Sequence, residues 1–128
     1  MDAKGRVQIC DLVVVGSGAS GLTAALTAVS HGLDVMVVEK EPCFGGTSAW
    51  SGGWMWIPRN PLAQEAGIEE TIERPLTYLR NELGAQFDED LARHFLEQGP
   101  NMVGFLRDEM GLAFVDGNRI PDFHDQTD

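Results

Sequence analysis

Leu12-Val13-Val14-Val15-Gly16-Ser17-Gly18-Ala19-Ser20-Gly21, and further on Val35-Met36-Val37-Val38-Glu39, are the two runs that decide how this chain folds. The first is a β-branched stretch that stops at a glycine, and the second an aliphatic stretch that stops at an acid. Both read as short strands buried on both faces of a sheet. Between them Leu22, Ala25, Leu26 and Val29 recur at helical spacing, with the small Ala24 and Ala28 beside them. His31-Gly32 closes that helix, because glycine suits the left-handed position just past a helix end. A strand, helix and strand joined this tightly form a right-handed βαβ unit with parallel strands, here over about residues 7–40.

Within that unit Gly16-Ser17-Gly18-Ala19-Ser20-Gly21 is a G-x-G-x-x-G that follows a strand, opens a helix and precedes an acid, Glu39, about 20 residues on. Each part has a physical task. Gly16 permits the sharp turn out of the strand, Gly18 removes a side chain where a pyrophosphate would approach the backbone, and Gly21 lets the helix pack on the sheet. The amides and partial positive charge at the helix start hold phosphate, and Glu39 accepts hydrogen bonds from ribose hydroxyls. The site is therefore predicted to bind a dinucleotide. NADP is disfavoured, since a 2′-phosphate needs a cation where Glu39 stands. Spacing alone does not choose between NAD and FAD.

Residues 41–58 have no regular period but much glycine, serine and tryptophan, with Pro58 and Pro61 closing the segment. A loop this long in a compact domain is usually functional or disordered, and its tryptophans argue against disorder. Residues 61–111 read as helices. Ile72, Leu76 and Leu79 make one stripe, with Pro75 expected to kink or restart it. Leu91, Phe95 and Leu96 make another, opened by Asp88 or its acidic neighbours. Pro100 is expected in the first turn of a further helix carrying Met102, Phe105, Leu106 and Met110. Residues 112–115 are a candidate short strand. The end of the chain holds Asp116, Asp122, Asp125 and Asp128 without a packing period.

The run Asp11-Leu12-Val13-Val14-Val15-Gly16-Ser17-Gly18-Ala19-Ser20-Gly21-Leu22-Thr23-Ala24-Ala25, then Val38-Glu39-Lys40, then Gly45-Gly46-Thr47-Ser48-Ala49-Trp50-Ser51-Gly52-Gly53, resembles the FAD-dependent oxidoreductase family. That family groups fumarate reductase and succinate dehydrogenase flavoproteins with 3-ketosteroid Δ1-dehydrogenases, and Trp54-Met55-Trp56-Ile57-Pro58 is most similar to the ketosteroid side. The resemblance implies an α/β, Rossmann-like FAD-binding fold. It implies that Gly16, Ser17, Gly18, Ala19, Ser20 and Gly21 meet the pyrophosphate and that Glu39, with Lys40, meets the adenosine ribose. Gly45, Gly46, Thr47, Ser48, Ser51, Gly52 and Gly53 would wrap the pyrophosphate, the ribityl chain and the flavin. Such enzymes move a hydride between flavin N5 and a carbon of an organic substrate, such as a ketosteroid or an enone-like compound.

Two departures carry weight. Relatives joined covalently to FAD have a histidine where this chain has Gly46, so the flavin is expected to be non-covalent. Ketosteroid dehydrogenases use a tyrosine pair after a Pro-Asp. Here Phe123 and His124 follow Pro121-Asp122, which leaves His124 as a weak candidate proton carrier. The family is also several times longer. The chain thus reads as residues 1–128 of an incomplete FAD-binding domain, inactive alone and completed by a missing C-terminal part. Two alternatives stand beside this reading: an NAD-linked oxidoreductase, or a truncated non-catalytic remnant.

Composition narrows the partners. Nine Lys plus Arg against twenty Asp plus Glu leave a formal charge of −11, the wrong sign for nucleic acid or an anionic membrane surface. A start without a hydrophobic region after its charges, and no long apolar run, predict a soluble cytoplasmic protein that takes a small-molecule substrate. Two cysteines are too few for a disulfide scaffold or an all-cysteine zinc site, and no metal site is expected. Cys43 reads as a free thiol and Cys10 as buried packing. His31 reads as a helix-end residue and His94 as solvent-facing. Trp50, Trp54 and Trp56 either line the flavin or a flat apolar substrate, or belong to the core or to an apolar interface.

Overall fold

The computed structural model describes residue 5, residues 7–117 and residue 120. The chain divides into two compact units, Met1–Met55 and Trp56–Asp128.

The first unit is the expected βαβ. Strand β1 (Leu12–Val15) and strand β2 (Val35–Val38) pair in parallel, Leu12 opposite Val35 and Val15 opposite Val38. Helix α1 (Ala19–Ser30) joins them and packs on both. The ladder is held at each end. The Asp34 carbonyl accepts from the Asp11 amide at 2.9 Å, and the Asp11 carboxylate accepts from the Asp34 amide at 2.9 Å. At the other end the Gly16 amide donates to the Val38 carbonyl at 2.8 Å, which sets the glycine turn beside Glu39. Helix α1 ends at His31, and Gly32 follows with φ of +80°.

Val14, Ala25 and Ala28 are buried where α1 meets the sheet. Val13 and Val15 point the other way, as alternation requires, and Val15 is 84% exposed. Among the described residues of this unit the strands are covered on one face, whereas the apolar runs suit a sheet covered on both. Two strands and one helix supply a single covering layer, and valines suited to a two-sided sheet stay open on the other side.

The second unit is helical: α2 (Pro61–Glu65), α3 (Glu73–Leu83) and α4 (Glu89–Gly104), the last continued by a π turn over Phe105–Glu109. Leu76, Ala92 and Leu96 form its core, with Ile72, Leu79 and Phe87 packed against them. The Asp88 side chain caps α4 by accepting from the Leu91 amide at 3.0 Å, as anticipated. The ion pairs joining Arg80 and Arg93 to Glu73 and Glu89 lie at the surface, where solvent screening leaves such pairs little weight in stability.

Three local expectations change. Pro75 lies in the first turn of α3 and neither kinks nor restarts it, because an amide there has no partner to lose. Pro100 lies inside α4 and starts no new helix. The residue before it, Gly99, has no Cβ to clash with the proline ring, which relieves the usual restriction on helical backbone at that position. Residues 112–115 are irregular, since no strand among the described residues pairs with them. The helical segment begins where expected with α2, opened by Asn60 accepting from the Ala63 amide at 3.0 Å and by Pro61 at the first helical position.

Candidate cofactor-binding site

The three glycines of the turn separate by what surrounds them. A Cβ on Gly21 would sit 2.2 Å from the Gly16 carbonyl oxygen and 3.3 Å from a Val14 methyl, so this glycine lets α1 rest on β1. A Cβ on Gly18 would meet only the Ser48 hydroxyl, at 4.0 Å. Gly18 therefore has open space before it, while Gly16 takes the turn at φ of +96°. The Gly18, Ser20 and Gly21 amides have no hydrogen-bond partner among the described residues, whereas the Ala19 amide donates to the Ser48 hydroxyl at 3.2 Å.

The second glycine loop docks onto this turn. Residues Gly46–Trp50 form a short 3-10 helix entered through Gly45 at φ of +114°. A Cβ on Gly46 would lie 3.2 Å from the Gly18 Cα, so the two backbones meet at a distance that favours glycine. Ser17 links the pieces. It is 2% exposed, the only buried polar side chain among the described residues. Its hydroxyl donates to Glu39 Oε2 at 2.5 Å, and its amide donates to the same oxygen at 2.9 Å. The Gly45 amide in turn donates to the Ser17 hydroxyl at 3.0 Å and to its carbonyl at 3.1 Å.

Glu39 sits at the carboxyl end of β2, with Oε1 accepting from the Glu41 amide at 3.1 Å. The Ser17 hydroxyl, then the Glu41 and Ser17 amides, hold its carboxyl down at about 2. It is therefore a carboxylate at any physiological pH. An open cleft of about 420 Å³, lined by Val15, Gly16, Val38, Glu39 and Lys40, lies beyond the carboxyl ends of both strands. That is where ligands bind in parallel α/β sheets. Lys40 is exposed beside it, 3.5 Å from Glu41.

The remaining candidates fall elsewhere. Trp50 and Trp54 are exposed in the first unit, and Trp56 stacks with Phe95 and tilts against Tyr78 in the second. Cys43 is an exposed free thiol; Cys10 is half-buried and not the packed core residue expected, because it lies ahead of β1 and outside the ladder. His94 is exposed on α4. His124, with Pro121, Asp122 and Phe123, lies outside the described residues. Sequence reasoning missed the Ser48 hydroxyl that meets the start of α1 and the part of Ser17 in joining three segments. The one signal for the latter was a serine between two glycines where only small residues fit.

A dinucleotide fits what is present. Gly18 leaves room, amides at the start of α1 are unspent, and a carboxylate faces the cleft at the strand ends. The FAD binding domain family model matches residues 11–128. The chain is 44% identical over 114 residues to the 4-oxocyclohex-2-ene-1-carboxylate 5-dehydrogenase of Sinomonas cyclohexanicum, covering 89% of this chain and 19% of that one. Among solved structures, the 3-ketosteroid Δ1-dehydrogenase of Sterolibacterium denitrificans superposes with a TM-score of 0.68 at 42% identity, over 77% of this chain and 17% of that one. A flavocytochrome c3 fumarate reductase in its open conformation superposes with a TM-score of 0.69 at 29% identity, over 83% and 19%. The chain thus spans about a fifth of the length of these relatives. It belongs to the FAD binding domain family shared by these flavin-dependent oxidoreductases, and FAD is its cofactor.

Proposed function

We propose that this chain is the adenosine- and pyrophosphate-holding part of an FAD-dependent dehydrogenase that acts on a cyclic ketone. The observation that carries this reading is the contact of two glycine loops, Gly46 on Gly18, beside a carboxylate at the strand ends. The Gly18, Ser20 and Gly21 amides hold the pyrophosphate, helped by the partial positive charge at the start of α1. Glu39 accepts from the adenosine ribose and Lys40 borders it. Gly45, Gly46, Thr47, Ser48, Ser51, Gly52 and Gly53 continue along the ribityl chain toward the flavin. Gly46 offers no side chain for a covalent link, so FAD is held without one.

Bound FAD supplies a two-electron acceptor for hydride from a carbon of the substrate. The names of the relatives, which specify an oxocyclohexene carboxylate and a ketosteroid, each a ring ketone, support this substrate class. The groups that touch substrate belong to the rest of the enzyme, and this chain contributes cofactor binding. Two cysteines without a disulfide suit the cytoplasm.

Titration of the purified chain with FAD, followed in the visible spectrum, tests the reading. Protein-perturbed flavin bands are expected, and Gly18→Asp, which sets a carboxylate where phosphate approaches, should abolish them. A chain that ignores FAD yet binds NAD would overturn it.

A further inference from the structure

We propose that Ser17 is a positioning residue of the FAD site: its buried hydroxyl sets the Glu39 carboxylate at the end of β2 and ties it to the Gly45 amide. The ribose-holding acid and the second glycine loop are then positioned by one atom. This role rests on the FAD reading above, and it differs from direct contact with the cofactor.

The argument is one of donors and acceptors. A serine hydroxyl has one hydrogen, and a carboxylate only accepts, so that hydrogen goes to Glu39 Oε2. A lone pair of the same oxygen is then left for the Gly45 amide, which only donates. The Ser17 amide is spent on Glu39 as well. With the residue 2% exposed, no polar hydrogen of Ser17 remains for a phosphate. The bonds run in one direction, from the Gly45 amide through the hydroxyl to the carboxylate, and bonds in such a chain polarise one another. Gly45 leads into Gly46, whose backbone rests on Gly18. Moving the carboxylate therefore disturbs the loop, and freeing the loop disturbs the carboxylate.

Ser17→Ala removes the shared oxygen, while the Gly45 amide keeps the Ser17 carbonyl at 3.1 Å as an acceptor, so the turn retains a tie. The test is a double-mutant cycle on the chain, with FAD affinity read from flavin fluorescence. Ser17→Ala should weaken FAD roughly tenfold, the scale of one hydrogen bond to a charged group. In a Glu39→Gln background the same change should cost less than about twofold, because its effect passes through the carboxylate. A second measurement needs no cofactor: the Gly45 amide resonance of the free chain should shift in both Ser17→Ala and Glu39→Gln. Additive losses, or a Gly45 resonance indifferent to Glu39→Gln, would overturn the positioning role alone. A wild-type chain that ignores FAD and binds NAD in its place would overturn the cofactor reading and this role with it.

Discussion

Substituting alanine at Gly21 and at Gly18, three residues apart in one motif, should separate folding from binding. At Gly21 the new Cβ would lie 2.2 Å from the Gly16 carbonyl oxygen, about 1 Å inside ordinary contact. That carbonyl cannot swing away cheaply. Its residue is tied to Val38 at 2.8 Å, and the next one is tied to Glu39. Helix α1 must therefore lift from β1 and lose part of the packing that buries Val14 and Ala25. Overpacking of this kind costs about 1–3 kcal/mol, and its backbone partner places it at the upper end. Better helix propensity returns up to about 1 kcal/mol, which leaves a net loss of about 2 kcal/mol. For a chain of 128 residues that lowers Tm by roughly 6–10 °C.

Gly18 has φ of −68° and ψ of 175°, a backbone any residue adopts, and its Cβ would meet only Ser48 at 4.0 Å. Alanine there should cost less than about 1 kcal/mol, as expected for a helix N-cap without a side-chain bond. It fills the space the pyrophosphate needs, so FAD affinity should fall at least tenfold, or about 1.4 kcal/mol. Thermal unfolding by circular dichroism and FAD titration on the same samples decide the matter. A Gly21→Ala chain as stable as wild type would refute the packing argument. A Gly18→Ala chain that melts early and still binds FAD normally would refute the division of labour between the glycines.

Three further outcomes follow from the geometry. Arg59 has φ of +61°, a left-handed backbone that costs an ordinary residue about 1–2 kcal/mol and asparagine less; Arg59→Asn should raise stability by about 0.5–1 kcal/mol, seen as a higher urea midpoint. Asp88→Ala removes the acceptor for the Leu91 amide and should lower stability by about 1 kcal/mol, seen as a lower midpoint with an unchanged m-value. The Glu39 carboxyl falls from 4.5 to about 2 on folding, chiefly through the Ser17 hydroxyl. Its contribution is therefore complete above pH 4.5 and is lost as pH drops from there toward 2. Glu39→Gln should flatten stability against pH within that window, and a slope unchanged by the substitution would contradict the Ser17–Glu39 bond.

Much of this protein was determined by local pattern. Leu12–Val15 and Val35–Val38 read as parallel strands because aliphatic runs that short, bounded by a glycine turn and an acid, suit little else. The task assigned to Gly21 also depends only on a turn and a helix adjacent in sequence, and the contacts agree with it. The helix boundaries at Gly32 and Asp88 follow from caps that act within a turn. Where a residue's role depends on what lies opposite it, sequence was a poorer guide. Pro100 breaks a helix by local rules, yet α4 continues through it. Among the described residues, 112–115 have strand composition without a strand to pair with, and Val15 has core composition yet is 84% exposed. Ser17 is the clearest case. Its neighbours in the chain mark it as a phosphate contact, and only the meeting of β2, the glycine turn and the loop at Gly45 gives its one hydrogen a destination. Periodicity and capping act between residues a few positions apart and so are written in the sequence. Hydrogen-bond satisfaction and burial depend on groups far along the chain, and those partners exist only once it has folded.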